Sequence, residues 1–284
     1  MLFLLLSFIW GSSFILMKVG MNNGLSPYQV ASIRIVSAGL LLLPVFFTHI
    51  RRIPVRKLPF VVASGSFGSL FPAFLFCLAE TKIDSSLAGT LNALTPVFVI
   101  LCGAFFFGIR TPGRQVAGIL IAFTGSLLLL LSKGHFGVNG HLFYVLPVLA
   151  ATFFYGFNVN MVSRHLKEIP ALHIAGVSLV INAVPALFIL AATGFFGLDF
   201  SDWPLRKAVG ASFLLGAGGT ALATIFFYLL MKRAGNIFAS LVTYGIPFVA
   251  CGWGLVFGEG VGWQQILCLM VILSGVFLVS YRRQ

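Results

Sequence analysis

Long uncharged stretches, separated by short clusters of charged residues, run through the whole chain. A helix needs about 20 mostly apolar residues to cross about 30 Å of hydrocarbon, and most of these stretches are long enough on their own. Two of them merge across Arg34, because Pro27 suits the first turn of a helix that continues through this arginine. The pattern predicts ten membrane-spanning helices, named spans 1 to 10, near residues 2–20, 27–48, 58–80, 86–108, 113–132, 142–163, 170–193, 208–231, 237–258 and 263–281.

The composition excludes a soluble fold. Of the 284 residues, 59% are apolar and only 8% are charged, whereas a soluble domain carries charge on about 25% of its residues. The predicted fold class is therefore an all-α polytopic membrane protein. The net charge of +12 does not indicate nucleic-acid binding, because the basic residues lie in short clusters between apolar stretches rather than along one solvated face. The expected partners are the lipid bilayer and a small-molecule substrate, and the sequence leaves the oligomeric state open.

The loops carry an orientation signal. With a cytoplasmic N-terminus, the inner loops and the C-terminal tail hold 12 basic residues and 1 acidic residue, while the outer loops hold 5 of each. This asymmetry follows the positive-inside rule. It predicts a multi-pass protein of the cell (inner) membrane with both termini in the cytoplasm. The first span lacks the basic leader and cleavage site of a signal peptide, so it is predicted to be retained.

The chain repeats itself at a distance of about 151 residues. The segment that begins at Phe76 aligns with the one that begins at Phe227, and the register holds through two consecutive helices. The repeat unit contains five helices, an odd number, so the second half must enter the membrane in the opposite sense. The sequence therefore predicts two inverted five-helix repeats, residues 1–135 and 136–284. Transporters built in this way place a substrate site near the midplane, between halves that can rock.

Several short motifs also resemble a known family. They are WGSSFILMKVG from Trp10, RIVSAGLLLLP from Arg34, the proline-centred spans 4 and 9, FGEGVGWQQ from Phe257 and GVFLV from Gly275. In order and spacing the chain resembles the EamA-type permeases of the drug/metabolite transporter superfamily. The resemblance implies a ten-helix transporter of five plus five spans, typically a bacterial inner-membrane exporter of amino acids, other metabolites or drugs. It also implies a central cavity lined largely by spans 1, 3, 4, 6, 8 and 9.

The chain departs from the family pattern at one place. The Gly-Glu pair that usually follows spans 4 and 9 is present as Gly258-Glu259, but the first half has Gly108-Ile109 instead. A role shared by two glutamates is therefore in doubt.

Arg34 is the one strong base well inside a predicted span. Such a charge costs at least about 2.5 to 3.5 kcal/mol on insertion, so the side chain should face a wet cavity or a carbonyl cluster, or snorkel to the interface. Two roles stay open at this point: a structural one, and contact with an anionic group of the substrate.

Spans 1, 6 and 8 carry polar and aromatic residues at helical spacing. Trp10 and Ser13 share one face of span 1, and Tyr155 and Asn158 share one face of span 6. These residues are predicted to line a substrate cavity, and helix packing with Trp10 facing lipid is the alternative. Thr220 in span 8 is a further candidate, although back-bonding to its own helix is the commoner role for a threonine.

Prolines mark the middle of spans 4 and 9. Pro96 and Pro247 each remove a backbone donor and free the carbonyl four residues back, on Asn92 and Thr243. A free carbonyl in a membrane is tolerated where it faces water or protein, so both kinks are candidates for cavity walls and for gating. Asn92 and Tyr244 are predicted to contact the substrate there, and ordinary packing kinks are the alternative.

The acidic residues offer few sites for chemistry. Glu80 and Glu259, near the outer ends of spans 3 and 9, are candidates for ion coupling. For Glu80, surface solvation or a pair with Lys82 is the simpler explanation. The four cysteines lie inside apolar stretches and indicate small buried hydrophobes, and no spacing of His, Cys, Asp or Glu indicates a metal or a cofactor.

The first hypothesis for function is a secondary active transporter that exports small metabolites such as amino acids, or drugs, by alternating access. The scarcity of buried charge favours a neutral or zwitterionic solute. One alternative keeps the fold and makes the protein a flippase for a lipid-linked substrate, with a lateral opening between spans. The other is a membrane-embedded enzyme, for which the six scattered acidic residues provide no catalytic group.

Overall fold

The computed structural model describes residues 1–83, 85–132, 142–249, 252 and 262–280, and every regular element within these residues is helical. A helix lies at each of the ten predicted positions. The bounds are Leu2–Asn22 for span 1, Pro27–Leu41 and Leu43–His49 for span 2, Val55–Ala79 for span 3, Ser85–Asn92 and Thr95–Phe107 for span 4, Gly113–Ser132 for span 5, Val145–His165 for span 6, Ala171–Ala192 for span 7, Trp203–Ala234 for span 8, Asn236–Val249 for span 9 and Trp263–Ser280 for span 10.

The lengths of these helices support the membrane prediction. Among the described residues, six helices are long and apolar enough to cross a membrane, and a seventh span results if the two parts of span 2 are counted together. Spans 5, 9 and 10 contain shorter apolar helices. The fold is thus an all-helical polytopic membrane protein in the part of the chain that is described.

One predicted span is bent, and one predicted boundary is wrong. Span 2 is not one straight helix, because it bends by 52° at Leu42. Pro44 explains the bend, since it has no amide hydrogen to continue the hydrogen-bond ladder and instead occupies the first turn of the second part. Span 8 starts at Trp203 rather than near residue 208, with Asp202 as its N-cap and Pro204 in its first turn.

Within the described residues, two stretches of π-helix interrupt the spans, and no feature of the sequence predicted them. One covers Ser66–Leu70 in span 3 and the other Leu215–Leu222 in span 8. Their separation of about 150 residues matches the repeat seen in the sequence. A π-helix bonds each amide to the carbonyl five residues back, so it widens the turn and frequently accompanies a functional site.

Spans 4 and 9 are interrupted in a related way. Span 4 breaks at Ala93 and Leu94, just before Pro96. Span 9 passes through a 3₁₀ segment at Leu241–Gly245, just before Pro247. Both prolines therefore sit at real irregularities, as the sequence predicted.

Spans 5 and 10 lie against each other through glycines. A Cβ on Gly275 would lie 2.5 Å from the nitrogen of Ala122, and one on Gly125 would lie 2.9 Å from the nitrogen of Ile272. Only glycine lets the two backbones approach this closely. Later residues of span 5 meet earlier residues of span 10, so the two helices run antiparallel.

A second pair of glycines joins each half of the chain to the other. Gly11 of span 1 faces Val249 of span 9, where an added Cβ would be 2.7 Å from the valine Cβ. Gly156 of span 6 faces Phe98 of span 4, with 2.6 Å to its backbone carbon. The first helix of each half thus packs on the fourth helix of the other half.

Candidate functional site

The centre of the molecule contains a narrow cavity of about 70 Å³. Its walls come from spans 1, 2, 3, 4, 6, 8 and 9, so both halves of the chain contribute. Six of the residues predicted for a substrate site line it: Trp10, Ser13, Arg34, Asn92, Tyr155 and Asn158. The structure therefore brings together most of the side chains that the helical spacing singled out.

The Arg34 side chain is buried at the wall of this cavity, with 8% of its surface exposed. Its Nε donates a hydrogen bond of 2.7 Å to the hydroxyl oxygen of Thr220, and Nη1 lies 4.0 Å from the sulfur of Met17. The side chain does not snorkel to the interface. Its position joins span 2 of the first half to span 8 of the second.

Trp10 lies on the cavity wall and does not face lipid. The indole Nε1 donates a 3.2 Å hydrogen bond to the carbonyl of Gly219, within the π-helical stretch of span 8. Its ring lies 5.3 Å from that of Phe227, centroid to centroid. The wider π turn leaves backbone carbonyls available to side chains, which explains why an indole can bond there.

Asn158 carries an amide group that is only half satisfied. Its Nδ2 donates to the Tyr228 hydroxyl at 3.3 Å, and that hydroxyl donates in turn to the Ser64 carbonyl at 3.5 Å. The Asn158 Oδ1 is buried and has no hydrogen-bond partner among the described residues. A buried acceptor without a donor is costly, and in a cavity wall it marks a point where a ligand can donate.

The proline kinks keep their carbonyls satisfied. The Asn92 carbonyl accepts a 2.8 Å hydrogen bond from the Thr95 hydroxyl, and the Thr243 carbonyl accepts from the Ile246 amide. Asn92, Thr95 and Thr243 all line the cavity. The kinks thus form cavity walls, as predicted, although the freed carbonyls are bonded within their own helices.

Two predicted cavity residues have other roles. Tyr244 is fully buried away from the cavity, and its hydroxyl donates to the Ile119 carbonyl of span 5 at 2.9 Å. The 3₁₀ segment explains this, because its tighter turn rotates the side chain off the face that a regular helix would present. Thr220 does not line the cavity either, and it accepts from Arg34 instead.

The structure contradicts the simpler interpretation of Glu80 as a surface residue. The side chain is completely buried, whereas Lys82 is exposed, so surface solvation and a pair with Lys82 are both wrong. The Glu80 Oε2 accepts from the Ser85 hydroxyl at 3.0 Å, and Oε1 has no partner among the described residues. Lys18 donates to the backbone carbonyl of Glu80 at 2.8 Å rather than to its carboxylate. Glu259 lies outside the described residues.

Sequence reasoning missed several aromatic side chains of the cavity. Phe14, Phe76, Phe227 and Tyr228 all line it. A signal was present for two of them, because Phe76 and Phe227 are matched by the repeat. Tyr228 lies on the same helical face as Thr224, four residues earlier, which also lines the cavity. Because the chain has 31 phenylalanines, the sequence alone could not show which of them line the cavity.

The cavity walls also repeat between the halves. Trp10, Ser13 and Phe14 recur 145 positions later as Tyr155, Asn158 and Val159. All six residues line the cavity. Within the described part of the chain, no three His, Cys, Asp or Glu side chains come together as a metal site.

Comparison with known proteins decides the family. The profile described as "EamA-like transporter family" matches residues 1–131 and 142–281. The chain belongs to the EamA-like transporter family. Its relatives carry the names of transporters and efflux pumps, so this EamA-like protein is a membrane transporter and not an enzyme.

Two relatives and one solved structure resemble this EamA-like protein along nearly its whole length. An uncharacterized transporter of Archaeoglobus fulgidus is 25% identical over 96% of this chain and 95% of its own. A probable amino-acid metabolite efflux pump of Escherichia coli K12 is 29% identical over 96% of this chain and 83% of its own. A crystal structure with 18% identity superposes with a TM-score of 0.75 over 98% of this chain and 95% of its own, which shows a shared fold.

Proposed function

We propose that this EamA-like transporter is a secondary active exporter of small metabolites such as amino acids, or of drugs, working by alternating access. The observation that carries the proposal is the central cavity, lined by both halves of the chain with aromatic faces and hydrogen-bonding groups. A cavity of about 70 Å³ fits only a small solute. This size favours a small metabolite over the bulky head group that a flippase for lipid-linked substrates would have to pass.

In many transporters alternating access uses two halves related by inverted symmetry, and the contacts support that arrangement here. The glycine contacts between spans 5 and 10 exchange partners when residue numbers are shifted by 150: Gly125 with Ile272 becomes Gly275 with Ala122. The same holds, with shifts of 145 and 151, for Gly11 with Val249 and Gly156 with Phe98. A twofold axis that exchanges two antiparallel helices is perpendicular to both, and so lies in the membrane plane, as in inverted-repeat transporters.

A second recess supports a route from the cytoplasmic side. It is open, has a volume of about 460 Å³ and is lined by Gln115, Asn160 and Asn236 at the end predicted to face the cytoplasm. Asn160 faces this recess, while the preceding residue, Val159, lines the central cavity. Asn160 also donates to the Val99 carbonyl at 2.8 Å, so one bond ties span 6 to span 4 between the two compartments. We assign these groups to the inner gate, with the kinks at Pro96 and Pro247 as its hinges.

The name of the Escherichia coli relative makes amino acids the first substrates to test. Cells fed dipeptides accumulate free amino acids, and an exporter relieves the resulting growth arrest. Expression of this protein should restore growth for a subset of dipeptides and raise the external concentration of the released amino acid. A broad panel of amino acids and drugs with no change in efflux would contradict the proposal.

A matched pair of variants separates transport from expression. Trp10→Leu alters the cavity wall and should abolish the relief, whereas Trp263→Leu changes a tryptophan that is 69% exposed and should leave it intact. Equal loss in both variants, at equal protein levels in the membrane, would argue against the cavity as the transport site.

A further inference from the structure

We propose that Arg34 binds one carboxylate group of the substrate, so that the transported class is small monocarboxylates with an apolar side group. Because it takes the central cavity as the transport site, the proposal rests on the proposed function. It narrows that function from small metabolites in general to a class defined by one negative charge and one apolar group.

Arg34 lines the cavity, and its guanidinium group has unused donors. Of its five N–H groups, the one on Nε is bonded to Thr220, and Nη1 has only the distant Met17 sulfur. Among the described residues, Nη2 has no acceptor and Arg34 takes part in no ion pair. The fork of a guanidinium matches a carboxylate with two parallel hydrogen bonds, and these are among the strongest that a side chain makes.

Among the described residues, the cavity wall holds no counter-charge for Arg34. The buried carboxyl group of Glu80, outside the wall, acts on Arg34 electrostatically but forms no ion pair with it. Arg34 is the one Lys, Arg, His, Asp or Glu among the described residues of the cavity wall. A buried charge that is not paired with an opposite charge is costly in free energy. A single carboxylate would neutralise the site, whereas a dicarboxylate or a phosphate dianion would leave excess negative charge in an enclosed space. The charge balance therefore selects a monoanionic group.

Arg34 is also held in place before any ligand arrives. Thr220 fixes Nε from the π-helical stretch of span 8. The backbone of Arg34 lies directly against Gly216 of the same stretch, where any Cβ would collide with the Arg34 carbonyl oxygen. A guanidinium fixed in this way gives up little side-chain entropy when it binds a carboxylate.

The cation has no counterpart in the second half. When Pro27 is aligned with Pro170 at the start of span 7, Arg34 corresponds to Val177. Three lining residues of span 1 recur in span 6, whereas the charge of Arg34 does not recur, so it distinguishes the two sides of the cavity. The carboxylate end would lie against Arg34.

Aromatic rings supply the site for the apolar end. Trp10 and Phe227 lie 5.3 Å apart, centroid to centroid, and Phe14 and Phe76 lie 5.8 Å apart with nearly perpendicular rings. Such pairs form an apolar surface that favours aliphatic or aromatic groups over polar ones. Together with Arg34 they define a ligand with one charged and one apolar end.

The test compares an acid with its uncharged isostere. Propionate, propionamide and the dicarboxylate methylmalonate, all small enough to suit a narrow cavity, would be titrated against the purified full-length protein in detergent, with tryptophan fluorescence as the readout. The wild-type protein should bind the monocarboxylate at least about tenfold more tightly than the amide and than the dicarboxylate. Equal affinities for acid and amide in the wild-type protein would overturn the proposal, whatever any variant does.

Variants then assign the preference to the arginine. Arg34→Gln should lose at least about tenfold in affinity for the acid and stay within about twofold for the amide, and Arg34→Lys should lie between, because it keeps the charge and loses the fork. Arg52→Gln, at an exposed arginine, is the control and should match the wild type. Size-exclusion profiles and melting temperatures must show that each variant is folded. An unchanged ratio of acid to amide affinity in folded Arg34→Gln would overturn the proposal.

Counterflow of the labelled acid in proteoliposomes distinguishes the two proposals. Binding with the expected preference but no counterflow would leave the carboxylate anchor standing and contradict the transport function. Counterflow of neutral solutes that is unaffected by Arg34→Gln would leave the transport function standing and contradict the anchor.

Discussion

At the scale of single residues, two tyrosines of the second half show how differently similar side chains are used. Tyr228 lines the cavity and its hydroxyl bonds to Asn158, while Tyr244 fastens span 9 to the carbonyl of Ile119 in span 5. Both side chains are buried. Tyr244 lies in the 3₁₀ segment of span 9, and Tyr228 lies in the regular helix that follows the π-helical stretch of span 8. The direction of the side chain, rather than its type, separates a ligand contact from a structural bond.

Tyr244→Phe should therefore reduce stability and spare transport. The lost hydroxyl leaves one hydrogen bond fewer between spans 9 and 5, which corresponds to about 1 kcal/mol. A lower melting temperature in detergent, with an unchanged transport rate per folded molecule, is the expected result. Tyr28→Phe, at a tyrosine that is 47% exposed, should change neither quantity. A large loss of transport in stable Tyr244→Phe would return this residue to the substrate site.

Asn158 and Asn160 offer a sharper contrast two positions apart. Asn158→Ala removes an unsatisfied Oδ1 together with the 3.3 Å hydrogen bond from Nδ2 to Tyr228, so the melting temperature should change little while transport falls at least about tenfold. Asn160→Ala breaks hydrogen bonds to the carbonyls of Val99 and Gly156, so the melting temperature should fall. Thermal melts and counterflow on both variants check the pair. The same response from both would show that the missing donor at Asn158 has no functional meaning.

Residue spacing predicted a large part of the candidate site. Trp10, Ser13, Tyr155 and Asn158 lie where a regular 3.6-residue helix places them, because spans 1 and 6 are regular along these faces. Tyr244 could not be predicted in this way, since a 3₁₀ segment changes the angle between successive side chains. The burial of Glu80 could not be predicted either. Its neighbours in the sequence do not distinguish this fully buried side chain from a solvated glutamate at a helix end.

At the scale of helices and their ends, irregular turns carry much of the architecture. The π-helical stretches of spans 3 and 8 and the breaks of spans 4 and 9 all lie beside the cavity, whereas the regular spans 5 and 10 lie apart from it. Among the described residues a helix lies at each position that hydropathy predicted, but hydropathy could not show these features, because a π turn and an α turn need the same apolar residues. Of these irregular segments, the sequence indicated only the breaks of spans 4 and 9, through Pro96 and Pro247.

Close packing of spans 5 and 10 makes their glycines intolerant of substitution. In Gly275→Ala the new methyl group would meet the backbone of Ala122 at 2.5 Å, which should cost about 1 to 3 kcal/mol of stability. Gly210→Ala is the control, because nothing lies within 4 Å of the added atom, and it should be neutral or slightly stabilising. Thermal melts of both variants test this. Equal melting temperatures would mean that the two helices are farther apart than described.

The end of span 6 is held by lysines from two other spans. The Lys232 ammonium group donates to the carbonyls of Leu166, Lys167 and Ile169, and Lys57 donates to that of His165. A cation at a helix C-terminus satisfies free carbonyls and opposes the helix dipole. These lysines, which the sequence predicts to lie on the cytoplasmic side, thus stabilise the fold.

Lys232→Met should lower stability by about 1 kcal/mol, because the carbonyls lose a charged donor. Lys82→Met, at an exposed lysine on the opposite side, provides the control and should leave the melting temperature unchanged. Should both variants melt like the wild type, the contacts of Lys232 would contribute nothing to stability.

At the scale of the whole molecule, charge asymmetry predicts how the chain is inserted. A green fluorescent protein fused after Gln284 should fluoresce, because the C-terminus is predicted to be cytoplasmic. Alkaline phosphatase fused after Ser201, in the exposed segment between spans 7 and 8, should be active, because that segment is predicted to face outward. The reverse pattern would invert the orientation and place the recess lined by Asn160 on the outer side.

The crossed contacts Gly11 with Val249 and Gly156 with Phe98 bear on the origin of such a chain. Each half covers a helix face that the other half leaves bare, so a protein consisting of one half would have had apolar grooves open at both places. Two copies could close these grooves only by inserting upside down relative to each other. The two halves thus complete each other only in opposite orientations, which is the arrangement that the five-helix repeat predicts.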